Sequence, residues 1–485
     1  MRLRDRVITG AIWASIDGWG RQVASLIVFA VLARLLDPVE IGLFAMVLIV
    51  LAALQTVLDE GLTEVIVQRP TLGPGHLDTA FALSVAVSVV LAGATVLAAP
   101  AIAALFGQPT LAPMIAVAAA APLLAGVVGV HQGLLRRRLD YRTLAVRSAA
   151  GVIGGGAVGI AMALDGWGAW ALVGQQIADR LFGAIVLAAR TGWRPGARIR
   201  FAHLADLVPF RGYLAATRVV NVSSQQVDRY LIGVVMGPAT LGLYNVALRI
   251  SDTAYALLAQ GLAGIGMSAF SRLQGDRARL RTALADAGET ANLLALPAFL
   301  GLSAVAPVLV VTVFGARWAE SGPVLAIIAL LGIPAMFSTF AGALMRALAA
   351  TRLLLTLLVL SAVANVVVVL ATIPHGLTAV ATGILVRNLC FIPIHLWVQH
   401  HLVGLSPREH LARTLPILAA SGGMFVAVVG VRTLLEPLLP AWATLGLLFA
   451  TGAAVYPLLL VLVARVSVDR ALSTFAAYRG RVAVG

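Results

Sequence analysis

The chain has 485 residues, of which 60% are hydrophobic and only 12% are charged, with a mean hydropathy of +0.96. Soluble domains carry about 25% charged and about 45–50% apolar residues, so this composition excludes both a soluble globular protein and a disordered one. The formal net charge is +14, all 35 basic residues are arginine, and the lone cysteine, Cys390, excludes an intrachain disulfide and a cysteine metal cluster.

Hydrophobic segments of about 20–25 residues follow one another along the chain, each long enough to cross the roughly 30 Å hydrocarbon core as a helix. Numbered 1 to 14, they are 11–34, 41–67, 78–104, 111–133, 146–164, 168–189, 208–235, 241–268, 288–313, 322–345, 353–373, 377–399, 413–431 and 440–464. The sequence therefore predicts an all-α membrane protein with about 14 transmembrane helices.

The arginines predict the orientation of these helices. Counted loop by loop, with Arg147 and Arg413 at the segment ends included, 25 arginines lie on one side, against two, Arg317 and Arg432, on the other. Because cytoplasmic loops carry an excess of Lys and Arg, both termini are expected in the cytoplasm. The basic charge is thus explained by membrane topology, and a nucleic-acid partner is not expected.

An internal repeat with an offset of about 200 residues relates segments 1–6 to segments 7–12. Residues 37–44 (DPVEIGLF) align with residues 237–244 (GPATLGLY), which share Pro, Gly, Leu and an aromatic residue in register. Six segments per copy insert both copies the same way up, which predicts two parallel six-helix lobes around a central cavity. The expected domains are 1–200 for the first lobe, 201–405 for the second, and 406–485 for segments 13 and 14 with a cytoplasmic tail.

Charged residues within the hydrophobic segments indicate where function lies, because each costs about 2.5–3.5 kcal/mol at a helix centre. They form polar stripes at helical spacing in segments 1, 7 and 8. The stripes are Asp17, Arg21 and Ser25; Arg218, Asn221, Gln225 and Asp228; and Asn245, Arg249 and Asp252.

Two interpretations of these stripes stay open for each residue. The first is a solvated cavity, in which Arg21, Arg218, Arg249, Asn221, Gln225 and Asn245 bind substrate. The second is structural ion pairing, for example between Asp17 and Arg21 or between Arg249 and Asp252. The acidic members, Asp17, Asp228 and Asp252, are therefore candidates for ion coupling or for ion pairs.

Other motifs carry little chemistry. Gly151, Gly155 and Gly159 have GxxxG spacing, which favours helix packing over a phosphate loop. The sequence has no P-loop, nucleophile elbow or HExxH motif, and its histidines lack metal-ligand spacing. It therefore predicts no enzyme, cofactor or metal site.

Several motifs, in order along about residues 10–405, resemble those of Wzx-type polysaccharide exporters of the multidrug/oligosaccharidyl-lipid/polysaccharide exporter superfamily, the colanic-acid exporter type most closely. They include 32–38 (LARLLDP) with 41–43 (IGL), 166–173 (GWGAWALV), 228–233 (DRYLIG), 241–247 (LGLYNVA) and 314–318 (FGARW).

The resemblance implies a flippase of the bacterial inner membrane that works by alternating access. It implies that undecaprenyl-diphosphate-linked oligosaccharide moves from the cytoplasmic to the outer leaflet for O-antigen, capsule or exopolysaccharide biosynthesis. Membrane lipids surround it, and the polymerase and glycosyltransferases of the pathway are candidate partners. A peptidoglycan-precursor flippase and a drug/cation antiporter stay open as alternatives, whereas a membrane glycan polymerase or ligase is disfavoured because no large outer loop is predicted.

Overall fold

A computed structural model describes residues 3–58, 66–67, 69, 72–196, 212–260, 270, 273, 275–467 and 469–470. Its α-helices in these ranges, numbered in chain order, are α1 (Leu3–Leu35), α2 (Pro38–Leu58), α3 (Pro74–Leu105), α4 (Leu111–Ala118), α5 (Ala120–Arg137), α6 (Tyr141–Leu164), α7 (Trp170–Thr191), α8 (Gly212–Tyr255), α9 (Arg277–Phe314), α10 (Ser321–Ala329), α11 (Gly332–Ala347), α12 (Thr351–Thr372), α13 (Leu377–Val403), α14 (Pro407–Leu435) and α15 (Ala441–Val463).

The helices have the length and hydropathy of membrane spans. Among the described residues, 12 helical stretches qualify, and α10 with α11, bent by 41°, makes up to 13. Large apolar side chains point outward from them, as Leu97 and Trp442 show with 84% and 72% exposure. The expected all-α, multi-pass membrane class is therefore confirmed.

Predicted segments 7 and 8 both overlap α8, which has 44 residues. A straight helix of that length would measure about 66 Å, but Gly237 breaks it with φ 84° and ψ 175°. A Cβ placed on Gly233 would lie 3.2 Å from Leu241 Cδ2, so the chain folds back at the break. The difference between the predicted and observed number of spans arises here, and the count of fourteen stays a prediction.

The junction between α1 and α2 is built by a capping box. The Glu40 amide donates to Asp37 Oδ1 and the Asp37 amide donates to Glu40 Oε2, both at 2.9 Å. Pro38 follows Asp37 as the first residue of α2, where its missing N–H costs nothing. The DPxE sequence therefore fixes a sharp start for α2.

The two copies of the repeated motif contact each other reciprocally. A Cβ on Gly42 would overlap the Pro238 carbonyl oxygen and lie 2.5 Å from its carbon; a Cβ on Gly242 would overlap the Pro38 carbonyl oxygen and lie 2.9 Å from its carbon. Exchange of equivalent contacts is what a twofold relation between the motifs produces. The backbones approach so closely that neither position has room for a side chain.

Glycines also join α6 to α7, as the GxxxG spacing predicts. A Cβ on Gly155 would lie 2.7 Å from the Gln175 carbonyl oxygen and 2.8 Å from the Asp179 amide nitrogen. Gly151 and Gly159 pack against the same helix, one turn before and one turn after. The interpretation of these glycines as a helix-packing stripe is confirmed.

By packing, the chain divides into two compact units, Met1–Asn245 and Val246–Gly485. Within the second unit, α14 and α15 pack on α9 through a buried cluster that includes Leu300, Met424 and Leu448. The repeat-based domains 1–200, 201–405 and 406–485 stay predictions, because a repeat describes ancestry rather than compactness.

Candidate functional site

The polar stripe of α1 reaches a neighbouring helix. Arg21 Nη2 lies 3.4 Å from Asp179 Oδ2 of α7, and their side chains are 38% and 17% exposed, respectively. Among the described residues, Arg21 pairs with Asp179 of another helix, and not with Asp17 of its own helix. Arg21 therefore joins α1 to α7 across the first unit.

Glycines position two further charges at the seam between α6 and α7. A Cβ on Gly183 would lie 3.3 Å from Arg147 Nε, and a Cβ on Gly151 would lie 2.6 Å from Asp179 Oδ1. On each helix the charged residue and the glycine are four positions apart, so each helix lays its charge over the other's glycine.

These residues form one group, which we call the N-terminal charge cluster: Asp17, Arg21, Arg147, Asp179 and Arg180. Arg147 is repelled by Arg21 and Arg180 and attracted by Asp179 and Asp17. Asp17 Oδ1 and Arg180 Nε are buried and make no hydrogen bond within the described part of the chain. The cluster thus holds three cations and two anions within candidate membrane spans. Of its members, the sequence predicts only Asp17 and Arg21 as candidate site residues.

Of the polar stripe of segment 7, the structure describes only the side chain of its last member, Asp228. The side chains of Arg218, Asn221 and Gln225 lie outside the described residues. The Tyr244 hydroxyl donates a 2.6 Å hydrogen bond to Asp228 Oδ2, across the break at Gly237. Asp228 therefore links the two arms of α8.

The stripe of segment 8 lies on the second arm of α8. Asn245 and Arg249 are half-buried and Asp252 is exposed. Asn245 belongs to the first compact unit, whereas Arg249 and Asp252 belong to the second. The structure leaves the assignment of these residues to a binding site as a prediction.

The structure shows a second charge cluster that the sequence did not predict. Arg413 Nη1 lies 2.8 Å from Asp286 Oδ1 and 3.3 Å from Glu289 Oε2, and Arg470 Nη1 lies 3.5 Å from Glu289 Oε1. Arg413 also pairs with Glu409, to which Arg281 Nη2 donates. We call these six residues the C-terminal charge cluster: Arg281, Asp286, Glu289, Glu409, Arg413 and Arg470.

Sequence spacing offered a partial signal for the C-terminal charge cluster. Asp286 and Glu289 are three residues apart, and Glu409 and Arg413 four, so each pair shares a helix face. Most of these residues were placed in cytoplasmic loops, because the predicted segments 9 and 13 begin at 288 and 413. In the structure α9 and α14 begin earlier, at Arg277 and Pro407. Within the described residues, no group of three His, Cys, Asp or Glu side chains is placed to hold a metal ion.

Comparison with known protein families assigns the chain to one of them. The sequence profile of the family described as "Polysaccharide biosynthesis protein" matches residues 31–323, more than half of the chain. The chain belongs to this polysaccharide biosynthesis protein family. The resemblance to Wzx-type exporters is thereby confirmed.

Relatives of this polysaccharide biosynthesis family member come from three bacteria. It is 26% identical to the lipopolysaccharide biosynthesis protein WzxC of Escherichia coli (strain K12), over 69% of this chain and 68% of the relative. It is 23% identical to the teichuronic acid biosynthesis protein TuaB of Bacillus subtilis (strain 168), over 68% of each. It is 27% identical to the succinoglycan biosynthesis transport protein ExoT of Rhizobium meliloti (strain 1021), over 68% of this chain and 67% of the relative.

Solved structures share the fold of this family member. The lipid II flippase MurJ, in an inward closed conformation, has a TM-score of 0.75 at 13% identity and covers 94% of this chain and 98% of its own. An inward-facing multidrug resistance MATE transporter of the MOP superfamily has a TM-score of 0.64 at 17% identity, covering 79% of this chain and 95% of its own. At these identities the likeness establishes the fold alone.

Proposed function

We propose that the protein flips an undecaprenyl-diphosphate-linked oligosaccharide from the cytoplasmic to the outer leaflet of the bacterial inner membrane, by alternating access. The observation that carries this proposal is the presence of arginines such as Arg21 and Arg180 within candidate membrane spans of a member of a polysaccharide biosynthesis family. The names of WzxC, TuaB and ExoT, which concern three different polysaccharides, support a lipid-linked glycan as cargo.

The orientation follows from the arginine asymmetry. With 25 arginines in loops, termini and segment ends on one side and two on the other, the positive-inside rule supports cytoplasmic positions for both termini. Substrate assembled on the cytoplasmic face then meets the protein on its basic side. Surrounding membrane lipids and the pathway's polymerase and glycosyltransferases are its proposed partners.

Arginine suits the chemistry of this substrate. A guanidinium stays charged when partly desolvated and donates two parallel hydrogen bonds to a phosphate or carboxylate. We assign Arg21, Arg218 and Arg249, with Asn221, Gln225 and Asn245, to substrate binding in a water-filled cavity, and Asp17, Asp228 and Asp252 to ion coupling or counter-charge. A cation exporter of the same fold would instead need acidic residues in excess.

Export of glycan tests this function. A bacterial strain that lacks its own exporter and accumulates lipid-linked oligosaccharide is supplied with this chain or with an empty vector. Appearance of surface polysaccharide with the chain, and none with the vector, is the expected result. A chain that inserts normally, exports no glycan and instead restores growth of a strain depleted of its lipid II flippase would replace this proposal with the peptidoglycan-precursor alternative.

A further inference from the structure

We infer that the N-terminal charge cluster is a binding site for the diphosphate of a lipid-linked substrate, with Arg147 and Arg180 as ligands beside Arg21. This inference rests on the proposed function and adds two ligands to it. It also assigns Asp179 as the anion that occupies Arg21 in the absence of substrate.

The balance of charge supports an anionic ligand. The cluster holds three arginines and two aspartates, so one positive charge is in excess, and Arg147 is repelled by both other arginines. An uncompensated charge within a membrane span is energetically unfavourable. An anionic diphosphate would offset the excess positive charge, whereas a neutral sugar would not and a cation would add to it.

Packing fixes Arg147 and Asp179 in place. Arg147 lies against Gly183 and Asp179 against Gly151, so both side chains are held where glycines let α6 and α7 approach closely. Arg180 Nε is a buried donor that finds no acceptor within the described part of the chain. A buried donor without an acceptor is costly, so it is a position where a phosphate oxygen would bind favourably.

The cluster is accessible at Arg21. The Arg21 side chain is 38% exposed, and its 3.4 Å contact with Asp179 is longer than the 2.7–2.9 Å of a strong charge-assisted hydrogen bond. An incoming diphosphate can therefore displace Asp179 from Arg21, while Arg147 continues to attract the released carboxylate. Asp179 and the substrate then compete for the same guanidinium.

This competition predicts opposite changes in diphosphate affinity for two kinds of variant. Removal of a cation, in Arg147→Gln or Arg180→Gln, should weaken diphosphate binding by about tenfold to a hundredfold, the value of one charged hydrogen bond. Removal of the competing anion, in Asp179→Asn, should strengthen binding by about tenfold. A purely structural cluster would not produce tighter binding in any of these variants.

The test uses the full-length protein in detergent. Binding of farnesyl diphosphate is measured from the rise of the thermal unfolding midpoint with ligand concentration, since a ligand that binds only the folded state stabilises it. Farnesol reports binding of the lipid chain alone, and phosphatidylglycerol reports binding of an ordinary phospholipid headgroup. Arg190→Gln, which changes an exposed arginine near the end of the same helix α7, is the matched control. Arg147→Lys keeps the positive charge but loses the two parallel hydrogen bonds of the guanidinium. It replaces Arg147→Gln in the test if that variant does not fold.

The expected result is selective binding of farnesyl diphosphate by the wild type and Arg190→Gln, weaker binding by the two arginine variants, and tighter binding by Asp179→Asn. Equal stabilisation by phosphatidylglycerol, or unchanged affinity in all three cluster variants, would overturn the inference. The glycan-export assay is independent of this readout. Export by the wild type together with unchanged binding in the variants rejects the site but leaves the proposed function standing.

Discussion

Glu289 carries a carboxylate whose side chain is only 4% exposed, and two arginines from distant parts of the chain neutralise it. Arg413 contacts it from α14, and Arg470 contacts it from beyond α15. Since α14 and α15 lie outside the predicted repeat, these ion pairs attach the last two long helices to α9. A buried charge of this kind is stable only while its partners remain.

Loss of Arg413 should therefore be costly. We expect Arg413→Ala to lower the free energy of unfolding by about 3–5 kcal/mol, because among the described residues Glu289 would retain only Arg470 as a partner. Thermal unfolding of the detergent-solubilised protein measures the effect. Arg408→Ala, which removes an exposed arginine five residues earlier, should change stability by less than about 0.5 kcal/mol.

The double variant Glu289→Gln with Arg413→Gln separates ion pairing from packing. If the cost of Arg413→Ala arises from an unpaired carboxylate, the double variant should be more stable than Arg413→Ala alone. An equally unstable double variant would show that the arginine acts through its packed carbon chain instead.

A second prediction for single residues concerns the hydrogen bond between Tyr244 and Asp228. Tyr244→Phe removes the donor of the 2.6 Å hydrogen bond and keeps the ring, so we expect a loss of about 1.5–3 kcal/mol in stability. Asp228→Asn in the same background should recover part of that loss, because the amide is cheaper to leave partly unsatisfied than a carboxylate. A Tyr244→Phe variant as stable as the wild type would mean that water replaces the hydroxyl.

Helices are the scale at which sequence patterns proved most informative. Segment lengths predicted the membrane class, and the spacing of Gly151, Gly155 and Gly159 predicted a helix-packing face, because both depend on local periodicity. That the face packs on α7 is known only from the structure. Local periodicity could not predict the partner of Arg21. Asp179 lies 158 residues away in the sequence, whereas the spacing within α1 points to Asp17. The C-terminal charge cluster was missed for the same reason: its carboxylates and arginines come from three separated parts of the chain.

The reciprocal glycine contact predicts a sharp difference between glycines. Gly42→Ala and Gly242→Ala should each abolish accumulation of folded protein, because the added methyl group would overlap a carbonyl oxygen of Pro238 or Pro38. Gly93→Ala in α3 is the control, since a Cβ there meets nothing within 4 Å. That change should be neutral or stabilise the helix by about 0.5–1 kcal/mol. Membrane abundance and monodispersity in detergent would reveal the contrast; normal accumulation of Gly42→Ala would contradict the close approach.

At the scale of the whole molecule, the topology is testable by cysteine labelling. In a Cys390→Ala background, a cysteine at Ala239 should react with an impermeant reagent from outside the cell, and one at Ala278 should not. Both positions are exposed, so a lack of reaction reports sidedness rather than burial. Disruption of the cells should make Ala278→Cys reactive. The reverse pattern in intact cells would invert the proposed orientation.

The contact between the Pro38–Gly42 and Pro238–Gly242 motifs has a consequence for how the chain can evolve. Two copies of a duplicated sequence usually diverge independently, each under its own selection. Here a side chain gained at Gly42 is resisted by the backbone of the other copy, and one gained at Gly242 meets the same resistance in return. Drift at these two positions is therefore coupled: we expect homologous chains to retain a small residue at both sites or to alter both together, even where the rest of the two halves has lost all visible similarity.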